Sequence, residues 1–188
     1  MVKKVLFIEG TTDDTNGDLR KGFRILLEKK FKNSNMPEIK LGNDKESTIR
    51  KFKNSNHEIS LAMIDLDGKD NLEKNEILKL KNENLSELGV FDKKEYVFFM
   101  VQEMEAWFLS QPDVLEEYYN DKKIKVKIPK KNSELIPNPS DFLQKITKET
   151  KKGKYHKVKD AVGLLCKLDI EKLIIDFEDI KKLIDKLK

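Results

Sequence analysis

The sequence is poor in cysteine and histidine. It holds one cysteine, Cys166, and two isolated histidines, His57 and His156, among 188 residues. A single cysteine cannot form a disulfide within the chain, and the clustered Cys and His ligands of a structural zinc ion are lacking. This usage is typical of a protein in a reducing compartment, so we expect a cytoplasmic location.

Long apolar runs are also scarce. No segment comes near the roughly 18 consecutive apolar residues of a membrane-spanning helix, and the apolar run that opens the chain stops at Glu9. That run lacks the length and the small-residue cleavage site of a secretory signal peptide. We therefore expect no membrane span and interpret the run as a first β-strand. The length suits one domain, or one domain with a small appendage.

Charge is abundant but unevenly distributed. Between residues 122 and 160 thirteen lysines face four acids, a net charge of +9, which leaves −5 for the rest of a chain whose formal charge is +4. Such a basic segment favours binding to phosphates. The basic residues are nearly all lysine, with three arginines, and an AT-rich coding sequence also produces that bias. Charge alone leaves both interpretations open.

Short apolar runs alternate with amphipathic segments along the chain. Runs rich in β-branched and aromatic residues predict strands at 3–8, 59–64 and 96–101. Apolar positions three and four residues apart predict helices at 18–31, 71–88, 140–148, 155–168 and 177–187. Alternation of Ile or Val with Lys predicts an edge strand at 122–128.

The order of these elements predicts an α/β fold. Strands that alternate with helices form right-handed crossovers, and the result is a mostly parallel, Rossmann-like sheet flanked by helices. We expect an α/β core over residues 1–121. A basic, mainly helical C-terminal extension over residues 122–188 is expected to pack on that core.

Acidic residues follow each of the three strong strands. Glu9 follows the first, Asp65 and Asp67 follow the second, and Glu103 and Glu105 follow the third. Ligands of open parallel sheets bind outside the carboxyl ends of the strands, so these side chains are expected to meet there. Crowded carboxylates raise one another's pKa unless a cation neutralises them, and Mg²⁺ prefers oxygen ligands. The sequence therefore predicts a Mg²⁺ or Mn²⁺ site.

One further acid lies in the loop after the first strand. Asp13 is close enough in sequence to Glu9 to reach a second ion at the same edge. Asp13 and its neighbours can equally cap the helix that follows, because Asp is a preferred helix N-cap. Both roles stay open for Asp13.

Two motifs at this edge resemble the Toprim fold, the metal-binding domain of topoisomerases, bacterial primases and OLD-family nucleases. They are Glu9-Gly10-x-x-Asp13 after the first strand and Asp65-x-Asp67-Gly68 after a later one. A closer resemblance is to a stand-alone family of unknown function with a Toprim-like domain, whose genes often lie beside AAA-type or ABC-type ATPase genes in bacterial defence regions. That resemblance is carried by Gln102-Glu-Met-Glu105-Ala-Trp107, Tyr155-x-Lys157, Leu164-Leu165 and Phe177.

The resemblance implies a Mg²⁺-dependent nuclease, and it suggests a phage-defence system with an AAA-type or ABC-type ATPase as partner. It makes Glu9 an acid/base residue or metal ligand, Asp65 and Asp67 metal ligands, and Glu105 the residue that completes the site, with Glu103 as a further member. Many relatives have Glu where this chain has Asp13 or Asp14, and the shorter side chain affects how tightly a second ion is held. The basic segment would bind DNA or RNA phosphates through Lys151, Lys152, Lys154, Lys157 and Lys159.

Two other functions stay open. The run Ile64-Asp65-Leu66-Asp67-Gly68 is similar to the first motif of haloacid-dehalogenase-type phosphatases, in which the first Asp is the nucleophile. Those enzymes usually carry the motif on the first strand with Thr after the Gly, where this chain has Lys69. The third possibility is a non-catalytic metal-binding partner of an ATPase, because the chain has no phosphate-binding P-loop of its own.

Overall fold

The sheet is formed by four parallel strands in a computed structural model that describes residues 3–13, 17–31, 36–68 and 72–188. The strands are β1 (Lys4–Glu9), β4 (Glu38–Gly42), β5 (Ile59–Asp65) and β6 (Val97–Met100). Their order across the sheet is β4-β1-β5-β6. Strands β2 (Thr12–Asp13) and β3 (Gly17–Asp18) pair as a short antiparallel ribbon. The predicted α/β fold with a parallel sheet is confirmed.

Helices connect the strands and follow the last one. In chain order within the described residues they are α1 (Leu19–Glu28), α2 (Lys45–Lys53), α3 (Lys74–Glu87), α4 (Glu105–Ser110), α5 (Pro112–Tyr119), α6 (Ile124–Lys127), α7 (Pro139–Thr147), α8 (Lys157–Lys167), α9 (Ile170–Asp176) and α10 (Glu178–Leu187). Two 3₁₀ segments occupy Phe91–Tyr96 and Ser133–Leu135.

Both faces of the sheet are buried, because successive side chains of a strand point to opposite faces. On β1, Leu6 and Ile8 join one hydrophobic cluster, whereas Val5 and Phe7 join the other. Parallel strands covered by helices on both faces have near-continuous apolar runs, and this explains why β1, β5 and β6 are easily recognised in the sequence.

The C-terminal helices complete one of the two faces. Leu164 of α8 and Leu183 of α10 belong to the same cluster as Leu6 and Trp107, and all are nearly inaccessible to solvent. Helix α8 packs closely on α1 at Gly22, because an added Cβ there would lie 2.8 Å from a Leu165 methyl carbon. The C-terminal extension therefore shares its core with the sheet.

The prediction of an edge strand at residues 122–128 is wrong. This stretch contains the helical turn α6, and Ile124 and Ile128 are buried while Val126 is 88% exposed. The buried residues are thus four positions apart, which is the helical spacing. Asp121 stabilises the turn by accepting a hydrogen bond from the Lys123 backbone N–H at 2.9 Å.

The strand expected at residues 96–101 is shorter than predicted. Tyr96 ends a 3₁₀ segment and lies largely on the surface, where Lys186 Nζ stands 4.6 Å from the centre of its ring. Phe98 and Phe99, by contrast, are buried on opposite faces of the sheet.

None of the helices in the described ranges combines the length and apolar character needed to cross a membrane.

Candidate active site at the carboxyl edge of the sheet

Asp65 and Glu9 meet at the carboxyl ends of β5 and β1. These strands are neighbours, with Ile8 paired to Met63, so the two acids end adjacent strands. The Asp65 backbone N–H donates to Glu9 Oε2 at 2.9 Å. The Asp65 carboxylate is buried and accepts from the Met104 backbone N–H at 3.2 Å through Oδ1. Both acids are therefore fixed by main-chain groups.

Glu105 contributes a third carboxylate from the first residue of α4. It is fully buried, and its Oε1 accepts a hydrogen bond from the Tyr155 hydroxyl at 2.8 Å. Its second oxygen, Oε2, is buried and accepts no hydrogen bond from the described residues, although the Lys157 ammonium lies 3.6 Å away. Buried polar atoms in proteins are nearly always hydrogen-bonded, so this oxygen can accept a further partner.

Lys157 lies between the carboxylates of Asp65 and Glu105. Its ammonium nitrogen is 3.4 Å from Asp65 Oδ2 and 3.6 Å from Glu105 Oε2. The lysine is the first residue of α8, and its side chain remains 43% exposed. The ammonium of Lys157 thus pairs with the buried acids while the side chain as a whole stays partly accessible to solvent.

Hydrogen bonds hold the start of α8 against the sheet. Asp160 accepts from the His156 backbone N–H at 2.8 Å and from the hydroxyls of Tyr118 at 3.1 Å and Tyr119 at 3.4 Å. The Tyr155 backbone N–H donates to Thr147 Oγ1 at 2.8 Å. These contacts fix the two residues, Tyr155 and Lys157, that touch the buried carboxylates.

The pKa values of Asp65, Glu9 and Lys157 all depart from their ordinary values. Burial is the main cause that raises the pKa of Asp65 to about 8; Lys157 lowers this pKa, and the neighbouring acids Glu105 and Glu9 raise it. Burial also raises the pKa of Glu9, against the hydrogen bond from the Asp65 backbone. For Lys157, burial lowers the pKa, but Asp65 and Glu105 more than offset it and hold the pKa above its ordinary value. Lys157 therefore stays charged.

Asp67 and Glu103 lie at the rim of the group. Asp67 is exposed and adopts a left-handed backbone with φ of 54°, and Lys45 forms an ion pair with its carboxylate. Glu103 is half-buried, accepts from the Ser140 backbone N–H at 2.9 Å, and has a pKa raised by burial. Both acids interact electrostatically with the buried group, Asp67 with Asp65 and Glu103 with Lys157, but neither side chain is fully buried with it.

Gly68 permits a close approach rather than an unusual backbone angle. An added Cβ at Gly68 would lie 2.6 Å from the Gln102 side chain, and the Asp67 backbone N–H donates to the Gln102 carbonyl at 3.0 Å. The loop after β5 is therefore packed directly on the loop after β6, and this packing brings Asp65 near Glu105.

The structure brings together some of the predicted site residues and separates others. Glu9 accepts a hydrogen bond from the Asp65 backbone, and Lys157 pairs with both Asp65 and Glu105. The side chain of Asp13 lies outside the described part of the structure, and so does all of Asp14. Among the predicted phosphate-binding lysines, Lys157 faces the acids, Lys152 stands 3.5 Å from the centre of the Tyr118 ring, and Lys151, Lys154 and Lys159 are exposed.

The donor atoms of the site fit a hard divalent cation, but the distances between the acidic side chains do not. All donors are carboxylate oxygens, which Mg²⁺ prefers, and Glu105 Oε2 lacks a hydrogen bond. Within the described residues, no three His, Cys, Asp or Glu side chains are close enough to hold a metal ion as they stand. The Lys157 ammonium lies between two of the acids, so a metal ion there requires the lysine to withdraw.

Sequence reasoning did not identify three residues that shape this site. The contact of Tyr155 with Glu105, the support from Asp160 and the ion pair of Lys45 with Asp67 all join segments far apart in sequence. No local periodicity indicates which helix covers the edge of a sheet. The Tyr155-x-Lys157 motif was the available signal, and it predicted a phosphate-binding lysine.

The chain belongs to the family described as a domain of unknown function (DUF4276), which matches residues 8–188. The match spans every candidate site residue from Glu9 to Lys159. A search of curated proteins and a search of solved structures found no match.

Proposed function

We propose that this protein is a Mg²⁺-dependent nuclease that hydrolyses phosphodiester bonds. The observation that carries the proposal is the buried Oε2 of Glu105, which accepts no hydrogen bond from any described residue and shares the Lys157 ammonium with Asp65. The acids Glu9, Asp65 and Glu105 belong to three separate elements, β1, β5 and α4. Such a site is electrostatically costly unless a cation neutralises it.

In this proposal Asp65 and Glu105 would hold the ion, and Glu9 would orient Asp65 through its backbone. A bound Mg²⁺ would activate a water molecule and offset the charge of the phosphate. Lys157 would bind a phosphate oxygen, because it stays charged and its side chain is still partly exposed. Tyr155 would keep Glu105 oriented through its hydroxyl.

The resemblance to Toprim-like proteins supports the same assignment. It associates Glu9-Gly10 and Asp65-x-Asp67 with metal binding, and it suggests phage defence and an ATPase partner as the setting. Asp67 and Asp13 would be ligands of a second ion in that arrangement. Mn²⁺ would replace Mg²⁺ without loss, since both take carboxylate and water ligands.

A second candidate function is a non-catalytic binding module. The position of Lys157 favours it, because the lysine already neutralises Asp65 and Glu105 as a structural ion pair. A phosphatase with Asp65 as nucleophile is less favoured. The Asp65 carboxylate is buried and accepts a hydrogen bond from the Met104 backbone, so it offers little free surface to a phosphate.

The direct test is incubation with labelled single-stranded and double-stranded DNA and RNA in Mg²⁺, Mn²⁺ or EDTA. We expect cleavage with either metal and none in EDTA. Glu105→Gln keeps the acceptor for Tyr155 but removes the charge, and we expect it to lower the rate by about a hundredfold or more, since even residues that only orient a metal ligand contribute about 10–100-fold. Glu117→Gln is the matched control, because Glu117 is exposed on α5.

Each outcome decides between the candidate functions. Metal-dependent cleavage that survives in Glu117→Gln and is lost in Glu105→Gln supports the nuclease. Metal binding without cleavage of any substrate favours the binding module. Cleavage that persists in Glu105→Gln contradicts the proposed site.

A further inference from the structure

A second concave surface runs beside β4, the edge strand of the sheet. It has a volume of about 1150 Å³ and is bounded by α2 on one side and by the first turn of α1 on the other. We call it the β4 groove. Pockets for small ligands usually measure about 300–1,000 Å³, so this groove is large enough for a ligand bigger than a typical small molecule.

The β4 groove is strongly basic. Its lining carries the cations Lys3, Arg20, Lys40, Arg50 and Lys51 against the acids Glu38 and Glu58. These charges give the groove a formal +3, although the whole chain carries +4. Two of the three arginines of the chain lie here. Clefts lined by charge of one sign attract and concentrate ligands of the opposite sign.

Ion pairs engage two of the groove cations and leave others open to solvent. Lys40 pairs with Glu38 at 3.3 Å, and Arg20 pairs with Asp18 at 3.3 Å while its side chain stays 52% exposed. Lys51 Nζ donates to the Leu41 carbonyl at 2.8 Å. Arg50 and Lys3 are exposed. Arg20, Arg50 and Lys3 are therefore the cations best placed to meet a ligand.

One end of the groove lies on the strand next to Glu9. The groove lining includes Leu41, and the next residue, Gly42, is the strand partner of Glu9. The Gly10 backbone N–H donates to the Gly42 carbonyl at 2.8 Å, so the two strands stay joined beyond Glu9. Neighbouring strands lie about 4.8 Å apart, so this end of the groove is one strand from Glu9, while Glu38 and Glu58 mark its other end at the amino edge of the sheet.

We propose that the β4 groove binds the sugar–phosphate backbone of a single-stranded nucleic acid and directs it toward Glu9. The direction rests on the proposed function, but the binding itself is electrostatic and needs no metal ion. A single strand fits because the groove is concave and follows the edge of the sheet. Its described aromatic lining residue, Phe7, is buried, so base stacking contributes little and sequence preference is expected to be weak.

The test is fluorescence anisotropy with a labelled single-stranded oligonucleotide in EDTA over a range of salt concentrations. For a single strand the logarithm of affinity falls with the logarithm of salt concentration by about 0.7 for each phosphate contact. We expect Arg20→Gln/Arg50→Gln to reduce that slope by about 1.4 and to weaken binding roughly tenfold at 0.1 M salt. Thermal unfolding confirms that each variant is folded.

Two matched variants show whether location matters. Arg24→Gln/Lys182→Gln removes the same charge at two exposed helix positions, each in an i,i+4 pair with Glu, and we expect a slope close to wild type. Lys151→Gln/Lys154→Gln removes the same charge from the basic segment before α8. The groove proposal is overturned if the slope falls equally in all variants, if Lys151→Gln/Lys154→Gln causes the larger loss, or if a duplex binds more tightly than the single strand.

The outcome is separate from that of the nuclease test. Glu117→Gln, at an exposed acid of α5 outside both sites, is expected to bind the oligonucleotide in EDTA and to cleave in Mg²⁺ as wild type does. Groove-dependent binding without cleavage would leave the groove intact and remove the nuclease. If wild type cleaves but Arg20→Gln/Arg50→Gln keeps the wild-type salt slope, the nuclease proposal stands and the groove proposal is wrong.

Discussion

At the scale of single residues, Lys157 determines the charge balance of the candidate site. Its ammonium lies 3.4 Å from Asp65 and 3.6 Å from Glu105, whereas a Mg²⁺ ion binds carboxylate oxygens at about 2.1 Å. The proposed divalent cation would therefore compete with the lysine for the same two carboxylates. Its binding would require Lys157 to move outward and the two acids to come closer together.

Replacing Lys157 by Met tests this competition. Lys157→Met keeps most of the side-chain volume and removes the charge, so we expect Mn²⁺ to bind about tenfold more tightly, measured by calorimetry at a pH near 8.5 to limit competition by protons. Lys154→Met, at an exposed position of the same segment, is the control and is expected to bind as wild type does. Weaker binding by Lys157→Met would show that the lysine assists the ion.

Asp65 gives the protein a characteristic pH dependence. Its pKa is raised from 3.8 to about 8, chiefly by burial, so the folded state retains a proton that the unfolded state has lost. The stability contributed by this proton is complete below about pH 4 and is lost as the pH rises toward 8. Without metal, the free energy of unfolding is expected to fall over that interval.

Urea unfolding in EDTA at pH 5 and pH 8 measures this effect. Asp65→Asn cannot ionise, so we expect a smaller difference between the two pH values than in wild type. Asp176→Asn, at an exposed acid of α9, is expected to keep the wild-type difference. An unchanged difference in Asp65→Asn would mean that Asp65 is already ionised in the folded protein.

At the scale of elements, the site depends on how α8 docks at the edge of the sheet. Tyr155 precedes α8, is buried, and donates its hydroxyl to Glu105 at 2.8 Å. Tyr155→Phe would leave Glu105 without a hydrogen bond on either oxygen. A buried acceptor that loses its partner costs about 1–3 kcal/mol, and more when it is charged.

We therefore expect Tyr155→Phe to lower the free energy of unfolding by about 1–3 kcal/mol in urea titrations. Tyr96→Phe is the control, because Tyr96 lies largely on the surface, and its effect should stay within about 0.5 kcal/mol. Equal effects of the two substitutions would contradict the hydrogen bond as a determinant of the site.

The elements that the sequence predicts correctly are those with a strong local signal. The strands β1, β5 and β6 are buried on both faces and leave dense apolar runs, and Gly89 ends α3 with φ of 62° as a helix stop does. Residues 122–128 were assigned to a strand, because Ile, Val and Lys alternate there whichever residues the rest of the fold buries. Only tertiary packing decides that Ile124 is buried and Val126 exposed.

The candidate site was predictable to the same extent. Glu9, Asp65 and Glu105 follow strands, so the topology of a parallel sheet places them together. Asp67 and Glu103 follow the same strands but end at the rim, because the loop geometry after a strand is not encoded in its periodicity. The roles of Lys157 and Tyr155 depend on a helix that begins 92 residues after Asp65. A local sequence pattern cannot predict a contact between residues so far apart in the chain.

At the scale of the whole molecule, the sheet and the C-terminal helices share one core. Leu164, Leu173 and Leu183 lie in the same cluster as Leu6 and Ile8, and none is more than 2% exposed. Residues 1–121 alone would expose to water the part of this cluster that the C-terminal helices cover. Burial of apolar surface contributes about 25 cal/mol per Å², and a domain is stable by only about 5–15 kcal/mol, so this loss is large compared with the stability of a small domain.

We expect residues 1–121, produced alone, to lack a cooperative thermal unfolding transition by circular dichroism. The full chain is expected to show a single transition, because its two parts cannot unfold separately. A cooperative transition in the fragment would show that the N-terminal α/β core is a domain in its own right.

The central claim is that the acids at the carboxyl edge bind a divalent cation, and calorimetric titration of Mn²⁺ into wild type and Asp65→Asn/Glu105→Gln tests it most directly. The account predicts that wild type binds the ion, that the double variant does not, and that Asp176→Asn binds as wild type does. Unchanged binding in the double variant, or no binding in wild type, would contradict it.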